Sequence, residues 1–265
     1  MTRPFRAAML SALALVVGLA VLPCASAATG DVQGVFDAGG QRQWISCAGT
    51  GSPTIVIASG LGASHTMWGK VIAPLRSLSR VCISDRPGLG SSPSRRGSTT
   101  TDAGEHAEEL RALLRRSGET GPFILVGHSY AGLIDRAFAA AHPAEVAGVL
   151  LLDAVYPGIQ RTFVASYRGP WHEGGTTIDM DASERATKGG PNLGATPLVV
   201  VTAGDPATAT SWADRKWNTE QARAARLSTM SRHWFAKRSG HVIQNDQPAM
   251  VVSAVRWLLR RTTRD

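Results

Sequence analysis

The stretch around Ser129 constrains the fold of this chain more than any other. Residues 123–126 are fully apolar, which is typical of a strand buried on both faces of a sheet. The sequence Gly-His-Ser-Tyr-Ala-Gly follows at 127–132, and a helical pattern comes next. In this strand–turn–helix context a tight turn lifts the Ser129 hydroxyl clear of the sheet and requires small residues two positions away, here Gly127 and Ala131. The pattern predicts a nucleophilic serine; the competing interpretation is an ordinary serine N-cap.

Apolar strand-like runs alternate with helical patterns along the rest of the chain. The strands are predicted at 32–36, 41–47, 54–58, 80–84, 123–126, 149–152, 198–202 and 233–236. Helices are predicted at 71–78, at 100–116, from the Ser129 turn to about residue 141, and at 247–260. Such alternation predicts an α/β fold with a mostly parallel central sheet and helices on both faces. Residues 154–196, between the strands that end near Asp153 and Thr202, show little periodicity and are predicted to form a short lid.

The first 27 residues have the anatomy of a secretory signal. Arg3 and Arg6 precede an apolar run over 7–22, and Ala25-Ser26-Ala27 offers a small-residue cleavage site. A retained membrane helix is the alternative, because the run is only slightly shorter than a membrane span. We expect cleavage after Ala27, which leaves one domain over residues 28–265 in a secreted protein.

The net charge and the distribution of basic residues limit the kinds of binding partner that we expect. The full chain has a net charge of +8, and loss of the two signal arginines would reduce it to +6. The basic residues are scattered, and no run resembles a nucleic-acid-binding arm, so we expect no nucleic-acid partner. A weak attraction to anionic membranes or polymers is compatible with this charge. The sequence does not indicate an oligomeric state.

Four segments together resemble the α/β-hydrolase superfamily over essentially the whole mature length. They are Ser59-Gly60-Leu61-Gly62, the run from Asp85 to Ser91, the turn at Ser129, and Ser239-Gly240-His241. The resemblance implies a catalytic triad in the chain order serine, acid, histidine, and it implies that His241 is the base. It also implies an oxyanion hole made by the backbone N–H groups of Leu61 and Tyr130.

The triad acid has two candidates. Asp205 follows the predicted strand at 198–202, in the loop where the family usually carries its acid, and it is preferred here. Asp153 ends the preceding strand, and some relatives use that position instead. The short Gly204-Asp205 spacing departs from the commoner acid loop of the family, so the alternative stays open.

Cys47 and Cys82 are the two cysteines of the predicted mature chain. In the sheet order of the family the second strand lies beside the fourth, and this implies a cross-strand disulfide between them; two buried thiols are the alternative. Closing that loop would stabilise the fold by about 3–4 kcal/mol in the chain-entropy model. No Cys/His cluster has metal-ligand spacing and no dinucleotide or phosphate-binding glycine pattern is complete, so we expect no metal and no cofactor.

The function that these features imply is a secreted serine hydrolase acting on small ester or lipid-like substrates through an acyl-enzyme. Four apolar side chains of the lid either contact such a substrate or pack the lid onto the body of the domain, and both interpretations stay open: Phe163, Tyr167, Trp171 and Met180. Epoxide hydrolases and haloalkane dehalogenases of this superfamily carry aspartate in place of Ser129, which argues against both activities. Two alternatives remain: a peptidase or amidase that uses the same triad, and a non-catalytic binding protein of the same fold.

Overall fold

The structure is a computed structural model that describes residues 30–163, 170–188 and 193–262. The predicted signal segment and Tyr167 of the lid lie outside these residues. None of the helices within them is long and apolar enough to cross a membrane.

The strands and helices alternate as the sequence predicts. The strands of the described chain are β1 (Val32–Ala38), β2 (Gln41–Ala48), β3 (Thr54–Ala58), β4 (Val81–Asp85), β5 (Thr100–Thr101), β6 (Phe123–His128), β7 (Val146–Leu152), β8 (Trp171–Glu173), β9 (Thr176–Ile178), β10 (Leu198–Ala203) and β11 (Ser231–Ala236). The helices are α1 (Gly69–Arg76), α2 (Ala103–Arg116), α3 (Ala131–Ala141), α4 (Ile159–Phe163), α5 (Met180–Lys188), α6 (Trp212–Ala224), α7 (Ile243–Asp246) and α8 (Pro248–Thr262). Asp102 caps α2, where its carboxylate accepts from the N–H groups of Gly104 and Glu105.

The central sheet has eight strands in the order β1-β2-β4-β3-β6-β7-β10-β11. The β1–β2 hairpin and the β2–β4 pair are antiparallel, and the remaining neighbours are parallel. The expected mostly parallel α/β sheet is therefore confirmed. From β3 the chain goes first to β4 on one side and later to β6 on the other. The crevice at the carboxyl ends of β3 and β6 is thus a topological switch point, where open α/β sheets bind their ligands.

Two apolar layers cover the sheet, one on each face. Along β6, Phe123 and Leu125 contribute to the layer shared with α2 and α3, whereas Ile124 and Val126 contribute to the layer shared with α1 and α8. Because successive strand residues point to opposite faces, an unbroken apolar run is what a strand covered on both sides requires.

The antiparallel edge carries the cysteine pair. Cys47 of β2 lies directly opposite Cys82 of β4, with their Cα atoms 4.0 Å apart, and the two side chains form a disulfide. The expected cross-strand disulfide is therefore present in the structure.

The region between β7 and β10 contains more regular structure than its sequence indicates. Helices α4 and α5 flank a short hairpin, β8–β9, and β9 pairs with β5 to form a separate three-stranded sheet. The strands are only two or three residues long, too short to show a period in the sequence. The pairing of β9 with β5 joins residues 77 apart, such as Thr100 and Thr177, and is a tertiary contact that local pattern does not encode.

Candidate active site

Ser129 occupies a strained turn between β6 and α3. Its φ angle is +55°, a left-handed conformation that is uncommon for a residue with a side chain. Two backbone hydrogen bonds hold it: the Ser129 N–H donates to Leu152 O at 3.0 Å, and its carbonyl accepts from Val155 N at 2.9 Å. Both partners belong to the end of β7 and the residues after it. The neighbouring strand thus fixes the turn that presents the serine.

Two glycines permit the close approach of backbone around Ser129. A Cβ atom on Gly127 would lie 2.8 Å from Ala131 O, so the turn closes only without a side chain there. A Cβ on Gly60 would lie 3.2 Å from Ser129 Cβ and 2.9 Å from Nδ1 of His128. The loop that follows β3 therefore lies directly against the serine.

His241 and Asp153 meet across the carboxyl edge of the sheet. The His241 Nδ1–H donates to Asp153 Oδ2 at 2.7 Å, which leaves Nε2 as the proton acceptor of the ring. The Asp153 side chain is 6% exposed, and the His241 side chain is 48% exposed. A buried carboxylate therefore fixes the tautomer of an imidazole that remains accessible from the cavity.

Three donors converge on the Asp153 carboxylate. Besides His241, the N–H of Ala203 donates to Oδ1 at 3.0 Å, and Nε1 of Trp217 donates to the same oxygen at 2.7 Å. Asp153 also has a positive φ, +41°, so that two uncommon backbone conformations occur at this one site. These three hydrogen bonds fix the orientation of the carboxylate.

Asp205, the acid preferred from the sequence, makes its contacts elsewhere in the structure. Its carboxylate accepts from the Ala207 N–H at 3.1 Å, capping a 3-10 turn, and lies 3.4 Å from Nζ of Lys237. The structure brings Asp153, and not Asp205, into hydrogen-bonding contact with His241. The physical reason is local: Asp205 sits at the N-cap of Pro206–Thr208, and its side chain bonds back to its own loop.

His128 supports the loop that carries His241. Its Nε2–H donates to the carbonyl of His241 at 2.8 Å, and the two rings lie 4.6 Å apart at 47°. Burial lowers the pKa of His128 to about 4, with a further contribution from His241. His128 is therefore neutral near pH 7 and acts there as a hydrogen-bond donor that positions the His241 backbone.

The two N–H groups expected to form an oxyanion hole have no acceptor within the described chain. These are the backbone amides of Leu61 and Tyr130; the next amide, that of Gly62, donates to Oε2 of Glu173 at 2.9 Å. Leu61 and Ser129 line the same cavity. Unsatisfied donors beside a serine are what stabilisation of a developing oxyanion requires.

An ion pair from the lid holds the Leu61 loop. Arg86 donates to the carbonyls of Ser59 and Gly60, each at 2.7 Å, and forms a two-pronged pair with Glu173 of β8, both contacts at 2.6 Å. The Arg86 side chain is 9% exposed and that of Glu173 is 2% exposed. The loop carbonyls point to the guanidinium, and Glu173 compensates its charge.

Charge compensation between these two groups overcomes the cost of burial. Burial opposes the charged forms, yet the pKa of Arg86 is raised by Glu173, and the pKa of Glu173 is lowered by Arg86. His106 lies 4.0 Å from Glu173, but burial, followed by the charge of Arg86, lowers its pKa to about 3. His106 is therefore neutral at pH 7, and Arg86 is the cation that neutralises Glu173.

Ser129, Asp153 and His241 line one cavity of about 420 Å³. Its walls contain Leu61, Ser129, Asp153, Val155, Ile159, Trp171, Ala203, Asp214, Trp217 and His241. This volume is within the usual range of small-molecule sites, roughly 300–1,000 Å³. Of the lid residues named from the sequence, Trp171 lines the cavity and Met180 is buried in the core, while the Phe163 side chain lies outside the described residues.

Within the described residues, one group of atoms has metal-ligand spacing: Cys47, Cys82 and Glu119. It does not fit a metal, because the two cysteines are joined in a disulfide and Glu119 pairs with Arg80 at 2.8 Å.

Sequence reasoning missed Trp217, Glu173 and the support from His128. Trp217 lies on a helix without a marked apolar stripe, and Glu173 lies in the aperiodic lid, so neither carries a local signal. The position of His128 directly before Ser129 was the available signal for the third.

Comparisons with known proteins agree with the architecture. Residues 53–254 match the family described as alpha/beta hydrolase fold. The uncharacterized protein YqjL of Bacillus subtilis (strain 168) is 28% identical over 214 residues, which cover 78% of this chain and 83% of that protein.

Two solved structures share the fold but differ in their described chemistry. A thermophilic esterase from Thermogutta terrifontis superposes with a TM-score of 0.63 at 21% identity, covering 88% of this chain and 99% of the esterase. The haloalkane dehalogenase DatA from Agrobacterium tumefaciens C58 superposes with a TM-score of 0.64 at 16% identity, covering 88% and 97%. At such identities the likeness shows the fold alone. Since the family match spans most of the sequence, the chain belongs to the alpha/beta hydrolase fold family.

Proposed function

We propose that this protein is a secreted serine hydrolase that cleaves small carboxylic esters, with Ser129 as nucleophile, His241 as base and Asp153 as the orienting acid. The observation that carries the proposal is the 2.7 Å hydrogen bond from His241 to the buried Asp153, in a cavity that Ser129 also lines. This assignment replaces Asp205 with Asp153.

In the first half of the reaction, Ser129 Oγ attacks the ester carbonyl and its proton passes to Nε2 of His241. Asp153 stays ionised and stabilises the imidazolium. The carbonyl oxygen becomes an oxyanion, which accepts from the N–H groups of Leu61 and Tyr130. The imidazolium then gives its proton to the leaving alkoxide, and an alcohol departs from an acyl-Ser129 enzyme.

In the second half, water attacks the acyl carbonyl and gives a proton to His241. The tetrahedral intermediate collapses, the Ser129 oxygen recovers the proton, and a carboxylic acid is released. No cofactor enters this scheme.

The cavity and the residue at the turn favour esters among the substrates known for this fold. The lining combines apolar side chains, such as Val155, Ile159 and Trp171, with few polar groups besides the proposed triad. Ser129 stands where epoxide hydrolases and haloalkane dehalogenases carry aspartate. The similarity to an esterase structure is compatible with this choice.

Secretion is part of the proposal. It rests on the signal-like residues 1–27, and the Cys47–Cys82 bond supports it because disulfides persist in oxidising compartments. Mass spectrometry of the protein exported by the producing cell should give a chain that begins at Ala28 and carries the bond. A chain that retains its first 27 residues would contradict cleavage.

Labelling with a fluorophosphonate probe tests the nucleophile. The wild-type protein should be labelled once, at Ser129, and should hydrolyse members of a p-nitrophenyl ester panel of graded acyl length. Ser129→Ala should lose both the label and the turnover while keeping the thermal unfolding temperature of the wild type.

The remaining outcomes discriminate among the alternatives. Labelling at Ser129 with turnover of anilides rather than esters would indicate an amidase. Absence of label and turnover in folded wild-type protein would indicate a binding protein of the same fold.

A further inference from the structure

A second cavity, of about 250 Å³, lies away from Ser129. Its wall includes Arg136, Ala139, Ala140, Val146, Thr187 and Leu227. Helix α3 begins next to Ser129, and Arg136 follows seven residues later, about 10 Å along the helix axis. Val146 opens β7, whereas Asp153 follows its far end. The second cavity is therefore near the amino ends of the strands, opposite the proposed active site.

Among the side chains that the structure describes, Arg136 is the single charged group in the wall of this cavity. It makes no hydrogen bond or ion pair with the described parts of the chain. Burial lowers its pKa to about 10, so the guanidinium is still protonated at pH 7. A positive charge facing an apolar cavity without a counterion is costly, and an anion supplied from outside would lower that cost.

The carboxylates on neighbouring elements are directed elsewhere. Asp135 of α3 faces Gly127, where a Cβ would lie 2.5 Å from its Oδ2. Glu184 of α5 binds Arg161 at 2.8 Å, and Glu145 binds Arg111 at 2.7 Å. None of these acids neutralises Arg136.

We propose that this cavity binds a short amphipathic carboxylic acid, with the carboxylate on Arg136 and the hydrocarbon chain against the alanine, valine and leucine side chains. A guanidinium presents a planar pair of donors that matches a carboxylate, and one positive charge matches a monoanion. The cavity is somewhat smaller than the roughly 300–1,000 Å³ of typical small-molecule sites, which favours a short chain.

The lid contributes to this site, because Thr187 of α5 lines the cavity. A carboxylic acid is the product of the hydrolysis proposed above. Binding at Arg136 nevertheless does not depend on that reaction, since no residue of the proposed triad lines this cavity.

Titration with octanoate labelled with ¹³C at the carboxyl carbon, followed by NMR and calorimetry, tests the site. The wild-type protein should bind octanoate saturably, and Arg136→Met should weaken the affinity at least about tenfold, since a hydrogen-bonded charge is lost. Ala140→Phe, which keeps Arg136 but fills the cavity, should also abolish binding. Arg115→Met removes an exposed arginine outside this cavity and should leave the affinity unchanged.

Two further ligands measure the contributions of the carboxylate and of the hydrocarbon chain to binding separately. Octanol, which lacks the charge, and acetate, which lacks the chain, should both bind more weakly than octanoate. Ser129→Ala should bind octanoate as the wild type does, which separates this proposal from the proposed hydrolysis. Octanoate affinity that survives both Arg136→Met and Ala140→Phe, or no binding to the wild type, would overturn the proposal.

Discussion

The loops after β7 and β10 begin at the same edge of the sheet, but their aspartates differ in burial and in hydrogen-bond partners. Both follow buried parallel strands that are direct neighbours, and each carries an aspartate within two residues of its strand. Asp153 is 6% exposed and binds three donors from three other segments, whereas the Asp205 side chain is 29% exposed and bonds within its own loop and to Lys237.

The difference shows what makes a carboxylate suitable as an orienting group. Position at the sheet edge is not sufficient. A carboxylate that is buried and held by several fixed donors has one orientation, while a partly exposed carboxylate paired with an exposed lysine is held less firmly. The comparison predicts how substitutions at the two positions should differ.

Replacing each aspartate by asparagine gives the largest expected contrast. Asp153→Asn should lower kcat for esters by about 10⁴-fold, the loss known for this change in the serine–histidine–aspartate template, because the wrong histidine tautomer is favoured. Asp205→Asn should change kcat by less than about twofold, as expected for a substitution in an exposed loop. Steady-state kinetics on folded variants measures both.

Both asparagine variants should remain folded at the assay temperature, and thermal unfolding followed by circular dichroism checks this. If Asp205→Asn lost more activity than Asp153→Asn, the contrast between the loops would be broken and Asp205 would return as the acid.

Glu173 and Glu145 allow the same comparison for the free energy of unfolding, because Glu173 is buried and Glu145 is partly exposed. Glu173→Gln leaves Arg86 buried without its counterion, so the free energy of unfolding should fall by about 3–5 kcal/mol. Glu145→Gln breaks a pair in which both side chains are about one quarter exposed, so the loss should be at most about 1 kcal/mol. Urea unfolding curves at neutral pH give both values. Equal losses would show that burial of the Arg86–Glu173 pair does not govern its contribution.

Trp217 gives the smallest and most specific test. Trp217→Phe removes the indole donor to Asp153 but keeps an aromatic ring, and it should lower kcat about tenfold, the scale of a hydrogen bond to a charged group. Lys237→Met removes the partner of Asp205 and should leave kcat unchanged. The Trp217 loss should be similar for short and long acyl esters; a loss that depends strongly on acyl length would assign Trp217 to substrate contact instead.

Much of the fold could be predicted because its signals are local. The strand at 54–58 and the helix ending at residue 141 have the bounds expected from the sequence, since apolar runs bounded by turn residues and helix caps are encoded in neighbouring residues. The lid hairpin could not be predicted, because its three-residue strands depend on β5 for a partner.

The sequence by itself determined the order of the eight central strands, the turn that presents Ser129, and the resemblance that singled out His241. Only the tertiary structure decided which aspartate contacts His241, since that depends on Ala203, Trp217 and His241 converging on Asp153 from distant segments. The physical reason is that backbone conformation follows from short-range sterics and burial, while the orientation of a carboxylate follows from the donors that surround it. Those donors are brought together only when the sheet has formed.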